Sequence, residues 1–317
     1  MRRRQQGVAL ITAMLVVALA AIAATALLSS ANLALHRTQN LQESEQAWWY
    51  AEGVEGWVRT VLAHDAELNR YDGLGDIWAR AVDYLPIGEG VLRGHIVDLQ
   101  GRFNLNNLAV TQPQAYEKQL LIFTRLAAIA AGLDDYQARG LGAAIRDYID
   151  ADNEPTGGEG AEDSAYLSLK PPRRVANQAM QSVTELLAVA GVTPEIYARL
   201  APHLTALPVK TGGFTTINVN TATPALLQAL TSAPGAGLEQ FIAERAKHPV
   251  ETVSELFGER NVYSANAADN SLLSVSSEYF QLNAEIFIGS SRFALYSLYR
   301  RAGAAAPVVL RHSSFTE

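Results

Sequence analysis

Residues 147–163 read DYIDADNEPTGGEGAED, seven carboxylates in 17 positions with no basic residue among them. Hard cations such as calcium take six to eight oxygens, from carboxylates and backbone carbonyls. Asp150, Asp152 and Glu154 alternate, which is the spacing of ligands along a loop. Gly157, Gly158 and Gly160 let the backbone turn so that carbonyls can point inward. Glu162 and Asp163 would close the site. The loop is not an EF-hand, because Pro155 stands where that motif needs glycine and Ala161 where it needs a bidentate Glu. Like charges at this density repel unless screened or bridged, which favours a bound cation over a merely solvated acidic loop.

No other chemistry stands out. The six histidines (His36, His64, His95, His203, His248, His312) are scattered and form no HExxH pair. There is no GxSxG elbow and no Walker loop. The absence of cysteine excludes disulfides, thiolate zinc sites, iron–sulfur clusters and cysteine nucleophiles. Paired carboxylates could serve as a general acid and base, so a signal-anchored periplasmic metal-dependent hydrolase is one alternative. A hydrolase cleft rarely consists of carboxylates alone, however, and the expectation is that the protein is not an enzyme. The net charge of −7 argues against a general nucleic-acid binder.

Several elements must position the acidic loop. Residues 1–7 read MRRRQQG, and residues 8–31 contain no charge, proline or glycine. As a helix the latter would span roughly 36 Å, enough for a bilayer core. The three arginines would stay cytoplasmic and the remainder would be exported. Three readings fit: an uncleaved signal anchor, a secretory signal peptide cut near Ala24-Thr25-Ala26, and a prepilin-type leader cut after Gly7. From residue 32 to about 68 there is no proline. Leu41, Ala47, Trp48, Ala51, Val54, Val58, Val61 and Leu62 recur mostly at helical steps. This predicts one helix of about 55 residues, apolar at one end and amphipathic at the other. The alternative is two helices hinged at Gly53 and Gly56.

Residues 91–100, 280–288 and 292–300 alternate like strands, with Gly289-Ser290 as a turn and a short strand at 308–311 after an Ala/Gly-rich link. The intervening stretch reads as helical and contains a weak internal repeat. FNLNN (103–107) matches INVNT (217–221), GLDDY (132–136) matches GLEQF (237–241), and SVTELL (182–187) matches TVSELF (252–257). The last pair are capping boxes. Two related helical modules are therefore expected, at residues 103–205 and 215–260. The second resembles a helix-hairpin-helix unit, so an exported DNA-binding protein is a further alternative. Its hairpin (232–237) lacks flanking basic residues, which favours a packing role.

A basic leader ending in glycine, followed by an apolar helix that becomes amphipathic, resembles type IV pilins and type II secretion pseudopilins. Those proteins usually carry Glu as the fifth mature residue, where this chain has Thr12. The minor pseudopilin K family characteristically lacks that Glu. The run DADNEP…GAEDSAYLSLKPPRRVAN…SVTELL is also similar to the same stretch of that family. The resemblance spans nearly the whole chain. It implies an α+β fold: a pilin-like long N-terminal helix packed on a small antiparallel sheet, interrupted by a large all-α insertion domain. The corresponding segments are a leader (1–7), a transmembrane part (8–31), a pilin-like helix and first strands (32–102), a helical insertion with the acidic metal loop (103–215), a helix-hairpin-helix-like module (216–277) and C-terminal strands (278–317).

The resemblance further implies calcium, with ligand roles for Asp150, Asp152, Glu162 and Asp163 and with Glu154 and Glu159 as substitutes. Prepilin peptidase would cut after Gly7, leaving Val8 as the methylated terminus. The protein would be a single-pass component of the inner membrane, N-terminus cytoplasmic and C-terminal domain periplasmic. It would cap the pseudopilus tip with the minor pseudopilins I, J and H above the major pseudopilin G. There it would initiate assembly, limit fibre length and touch exported substrates, with no nucleic-acid partner. Removing the leader would change the net charge from −7 to −10.

Overall fold

The computed structural model describes residues 5–210, 212–258, 260–264, 268–289, 291–303 and 306–314. The leader residues Arg2, Arg3 and Arg4, the turn residue Ser290 and the link residues Ala304 and Ala305 lie outside them. The chain runs α1 (Gln5–Leu68), β1 (Val82–Ile87), β2 (Gly90–Asp98), β3 (Phe103–Asn104), α2 (Pro113–Ala131), α3 (Asp135–Ile149), α4 (Asp163–Leu167) and α5 (Pro194–Leu200). It continues through β4 (Leu204–Thr205), β5 (Ile217–Asn218), α6 (Pro224–Ala229), α7 (Leu238–Glu244), β6 (Leu273–Ser274), β7 (Tyr279–Ile288), β8 (Ser291–Arg300) and β9 (Val308–Ser313).

The N-terminal helix is unbroken, and Gly53 and Gly56 cause no hinge. Residues 8–42 are exposed throughout, so this stretch gains nothing from the rest of the fold and owes its helix to propensity and environment. From residue 43 onward one face meets the sheet. Ala47, Val54, Val58 and Leu62 pack with Trp78, Leu92, Phe280, Leu282, Ala284, Ile286, Ile288, Leu295 and Tyr299. The buried stripe is narrower than the sequence period suggests. Leu41 (71% exposed) and Trp48 (46%) face outward, because the sheet meets only the face carrying Ala47, Val54, Val58 and Leu62. The Trp48 ring instead meets His312 at a near-perpendicular angle, with centroids 5.8 Å apart.

Five antiparallel strands form the sheet, in the order β1-β2-β7-β8-β9. Along β7, residues 280, 282, 284, 286 and 288 face α1, as a period of two requires. Strand β1 had no clear signal in the sequence. It contains Pro86 and sits at the sheet edge, where a missing N–H costs no ladder bond. The first and last parts of the scaffold are direct neighbours: Gly90 pairs with Ile288 and Asp98 with Phe280. All of residues 99–278 therefore leave and return at one end of two adjacent strands.

That insertion is built from two matching halves. Parallel pairs close each one, β3 with β4 and β5 with β6. The repeated asparagines explain the sequence match. Asn106 and the backbone of Met180 exchange two hydrogen bonds of 2.9 Å each. Asn220 and Val250 do the same at 2.9 Å. Two residues further on come the capping boxes. Glu185 Oε1 accepts from Gln181 N and Ser182 N (2.7 and 3.1 Å), and Glu255 Oε1 from Glu251 N and Thr252 N (3.0 and 2.9 Å). Each box caps a short 3-10 segment, Val183–Ala188 or Val253–Leu256, rather than an α-helix. The second half closes at Leu273–Ser274, beyond residue 260.

Both halves share one core that includes Phe103, Phe123, Ile145, Leu200, Leu226 and Tyr263. Asn106 and Asn220 are fully buried, so truncating either strands one backbone N–H and one C=O. Asn106→Ala and Asn220→Ala are each expected to cost about 2–4 kcal/mol, and to similar extents. Urea unfolding of the two variants measures this.

Candidate metal centre

Helix α3 starts at a capping box, Asp134 with Gln137, and buries Ala138, Leu141, Ala144, Ile145, Tyr148 and Ile149. Its last turn carries Asp147, fully buried, and its C-cap is Asp150. Carboxylates at a helix C-terminus oppose the helix dipole, so their placement there calls for a cation. Across the loop, Glu162 is the N-cap of α4 but makes no side-chain cap bond. It turns instead toward α3. One carboxylate oxygen from each of Asp147, Asp150 and Glu162 lies within 4.8 Å of the others. Oxygens ligating one calcium at 2.3–2.6 Å fall within such a span.

The orphaned acceptors decide what this pocket of charge can hold. Asp147 Oδ2, Asp150 Oδ1 and both oxygens of Glu162 are buried without a hydrogen-bond partner. Buried acceptors are otherwise nearly always satisfied. Gly160 leaves the space open: a Cβ there would come within 2.2 Å of Asp147 Oδ2. Gly157, at φ 63°, supplies the left-handed turn of the loop. Burial first, and then Asp147, Asp150, Asp152 and Asp163, push the Glu162 carboxyl up to about 7. Burial first, and then Asp152 and Asp147, push Asp150 up to about 6 against the opposing pull of Arg146. Arg146 Nε stands 3.5 Å from Asp150, and its guanidinium stacks over Tyr116. An all-oxygen, anionic, partly dehydrated set of this kind fits a hard divalent cation.

The structure divides the six nominated residues. It gathers Asp150 and Glu162. Asp152 Oδ1 accepts the Glu154 amide at 2.9 Å, while Asn177 holds the Asp152 carbonyl at 2.8 Å. Asp163 Oδ1 accepts the Val175 amide at 3.1 Å, and its other oxygen is 4.0 Å from Arg174. Glu154 is exposed, and exposed Glu159 lies against Gly140 of α3. These four surround the trio rather than enter it. Asp147, one of the seven loop carboxylates, has no ligand role in the sequence pattern. Its signal was available: Asp147 and Asp150 are three apart, on one face of the final helical turn. Asp147 Oδ1 also accepts the Thr156 amide at 2.9 Å, which folds the loop back over the site.

The hairpin of the second module is committed elsewhere. Gly235 N donates to Val262 O (2.9 Å), Gly237 N to Asn261 O (3.0 Å) and Ala233 N to Thr231 Oγ1 (3.0 Å). Amides that could have faced a phosphate are used inside the fold.

Comparison with known proteins places this architecture. The chain is 34% identical to the type II secretion system protein K of Aeromonas hydrophila over 336 residues, covering 98% of this chain and 97% of that one. The chain belongs to the type II secretion system protein K family. A second protein K, from Pseudomonas aeruginosa, is 34% identical over 308 residues, covering 95% of this chain and 90% of its own length. The family description "Type II secretion system (T2SS), protein K" matches residues 101–209, which hold the first half of the insertion and the acidic loop. Among solved structures, the crystal structure of the GspK-GspI-GspJ complex from enterotoxigenic Escherichia coli contains a chain that aligns with a TM-score of 0.76 and 26% identity. The alignment covers 89% of this chain and all of that one. Protein K is a minor pseudopilin, a structural component of the secretion system. In this member, α1 is long and apolar enough to cross a membrane once, and none of its most apolar stretch is buried in the protein.

Proposed function

We propose that this minor pseudopilin sits at the tip of the pseudopilus with pseudopilins I, J and H, starts assembly, limits fibre length above the major pseudopilin G and contacts exported proteins. The observation that carries this reading is its likeness, over 89% of the chain, to a protein solved in a complex with GspI and GspJ. Two further features support an end position. Residues 99–278 add a bulky body at one end of the sheet, which a packed fibre interior would have to accommodate. Thr12 bonds back to the carbonyls of Val8 and Ala9 (3.1 and 3.0 Å) and offers no carboxylate to a neighbouring subunit.

The protein acts as a structural subunit rather than an enzyme. It is anchored in the inner membrane, with its N-terminus cytoplasmic and its folded part periplasmic, and prepilin peptidase cleaves it after Gly7. Calcium is held by Asp147, Asp150 and Glu162, with Asp152 and Asp163 adding negative charge nearby. When bound, it supplies positive charge that joins the end of α3 to the start of α4. The ligand oxygens are closed to solvent, as in structural metal sites.

The mature protein is expected to begin at Val8, as read by N-terminal sequencing, and to co-purify with pseudopilins I and J in a 1:1:1 ratio. A start near Leu27, or a chain that stays monomeric with both partners present, would overturn the reading.

A further inference from the structure

A second group of acids, separate from the metal centre, lies where α1, the sheet and the insertion meet. Asp65 is in the last turn of α1, Asp72 and Asp76 follow it, and Asp98 ends β2. Asp65, Asp72 and Asp98 are buried, and Asp76 is half-buried. Among the described residues, one buried guanidinium, that of Arg301, answers Asp65, Asp72 and Asp76. Arg301 Nη2 reaches both oxygens of Asp72 at 2.5 and 2.6 Å, and Nη1 reaches Asp65 Oδ2 at 3.3 Å. Arg301 also donates to the Leu62 carbonyl of α1 at 3.3 Å and to the Ser277 carbonyl at 3.1 Å.

The insertion is tied to the same point. Asn218 Nδ2 bonds to Asp72 O (3.1 Å), Asp98 Oδ2 (2.9 Å) and Ser277 Oγ (3.0 Å). Thr221 and Ser277 hydroxyls each donate to Asp98 at 2.6 Å. The trio Asp65, Asp72 and Asp76 is tight enough to suggest a cation site. Arg301 already supplies the positive charge there, and among the described residues none of these oxygens is buried without a partner. No metal is assigned to it.

The charge does not balance. Among the described residues, Asp65, Asp72 and Asp76 face one guanidinium, and Asp98 adds its charge beside Asp72. Among the described residues, Tyr71 beside the cluster and Glu251 beside Tyr71 add no cation, and His64 of α1 pairs with Glu67 on the exposed side. We infer that the cluster is a proton-controlled latch, in which a proton taken up on Asp65 fastens the end of α1 and the sheet to the insertion, and loss of that proton loosens the joint.

The titration of the group supports this. Burial, then Asp76 and Asp72, push Asp65 up to about 7 against Arg301. Burial also raises Asp76, and it raises Asp98 to about 6 despite the bonds from Ser277 and Thr221. These folded-state values lie above the ordinary carboxylate value, so the folded joint binds protons more tightly than the open one. The resulting stabilisation is complete below about pH 4, is lost as pH rises through about 6–7, and levels off above.

The test uses the full-length protein in detergent micelles with saturating calcium, from pH 5 to 8.5. Hydrogen-exchange protection of the Asp72 and Ser277 amides, which bond to Val275 O and Asp72 Oδ2, reports opening of the joint. In the wild type, protection is expected to fall by up to about tenfold per pH unit between pH 5 and 7 and then to level off. In Asp65→Asn, which mimics the protonated acid, most of that fall should vanish, and protection at pH 8 should match or exceed the wild type. Asp76→Asn serves as a second variant and should flatten the profile partly. A flat wild-type profile, or an undiminished fall in both variants, would overturn the latch.

Discussion

Removing divalent cations with EGTA is expected to lower the melting temperature of the full-length protein by roughly 5–10 °C at pH 8, and calcium should restore it. A ligand present at about 100 times its dissociation constant stabilises the folded state by about 2.7 kcal/mol. For a folded body of this size each kcal/mol moves the midpoint by about 2–4 °C. The sign of the pH dependence follows from the raised carboxyls. Without calcium, Glu162 near 7 and Asp150 near 6 bind protons more tightly folded than unfolded. Their contribution is full below the ordinary carboxylate range and is lost as pH rises through 6–7. On this contribution the cation-free protein is expected to lose stability as pH rises past 7, where calcium would meet no competing proton. The EGTA effect should shrink toward pH 5.5. The double variant Asp147→Asn, Glu162→Gln should ignore calcium, yet be at least as stable as the cation-free wild type at pH 8. Differential scanning calorimetry with and without EGTA measures both. Equal midpoints in the wild type under the two conditions would remove the metal.

The second large effect is expected at Arg301. Replacing it with Met leaves Asp72, 1% exposed, and Asp65, 5% exposed, buried with no cation between them. Breaking one side of a buried ion pair costs about 3–5 kcal/mol, because the remaining charge is left uncompensated. Arg301→Met should lower the melting temperature by roughly 6–20 °C. The loss should be larger at pH 8 than at pH 5.5, where protons partly replace the missing charge. Arg301→Lys should fall between the two proteins. It keeps a positive charge but loses the fork that reaches α1, Asp72 and the Ser277 carbonyl together. The guanidinium also lies 4.7 Å from the centre of the Phe280 ring, a contact an ammonium would match poorly.

Local patterns were readable where one segment determines its own structure. The charge-free run ahead of an amphipathic one foretold a single long helix. Alternation at 280–288 and 292–300 foretold the central hairpin, and the FNLNN and INVNT pairs foretold the two halves of the insertion. Less was readable where distant segments decide. Strand β1 exists because β2 offers it an edge, and its own residues, including Pro86, argue weakly for a strand. Leu41 and Trp48 fit the helical period, but the sheet meets only the face carrying Ala47 and Val58. In the acidic loop the number of carboxylates was informative and their roles were not. Backbone amides of Glu154 and Val175 draw off Asp152 and Asp163. Asp147 is delivered by helix geometry. The Arg301 cluster joins residues more than 200 positions apart, and no spacing along the chain could announce it.

The pairing of β2 directly with β7 sets the register of the sheet at the very point where the insertion joins it. Because the insertion departs and rejoins at a single rung of the ladder, Asp98 opposite Phe280, the sheet and its helix form the same hairpin whether a two-residue turn or a domain closes it. The scaffold behaves as a socket with a fixed fitting, into which the large body is plugged through Asn218 and Ser277 on Asp72 and Asp98.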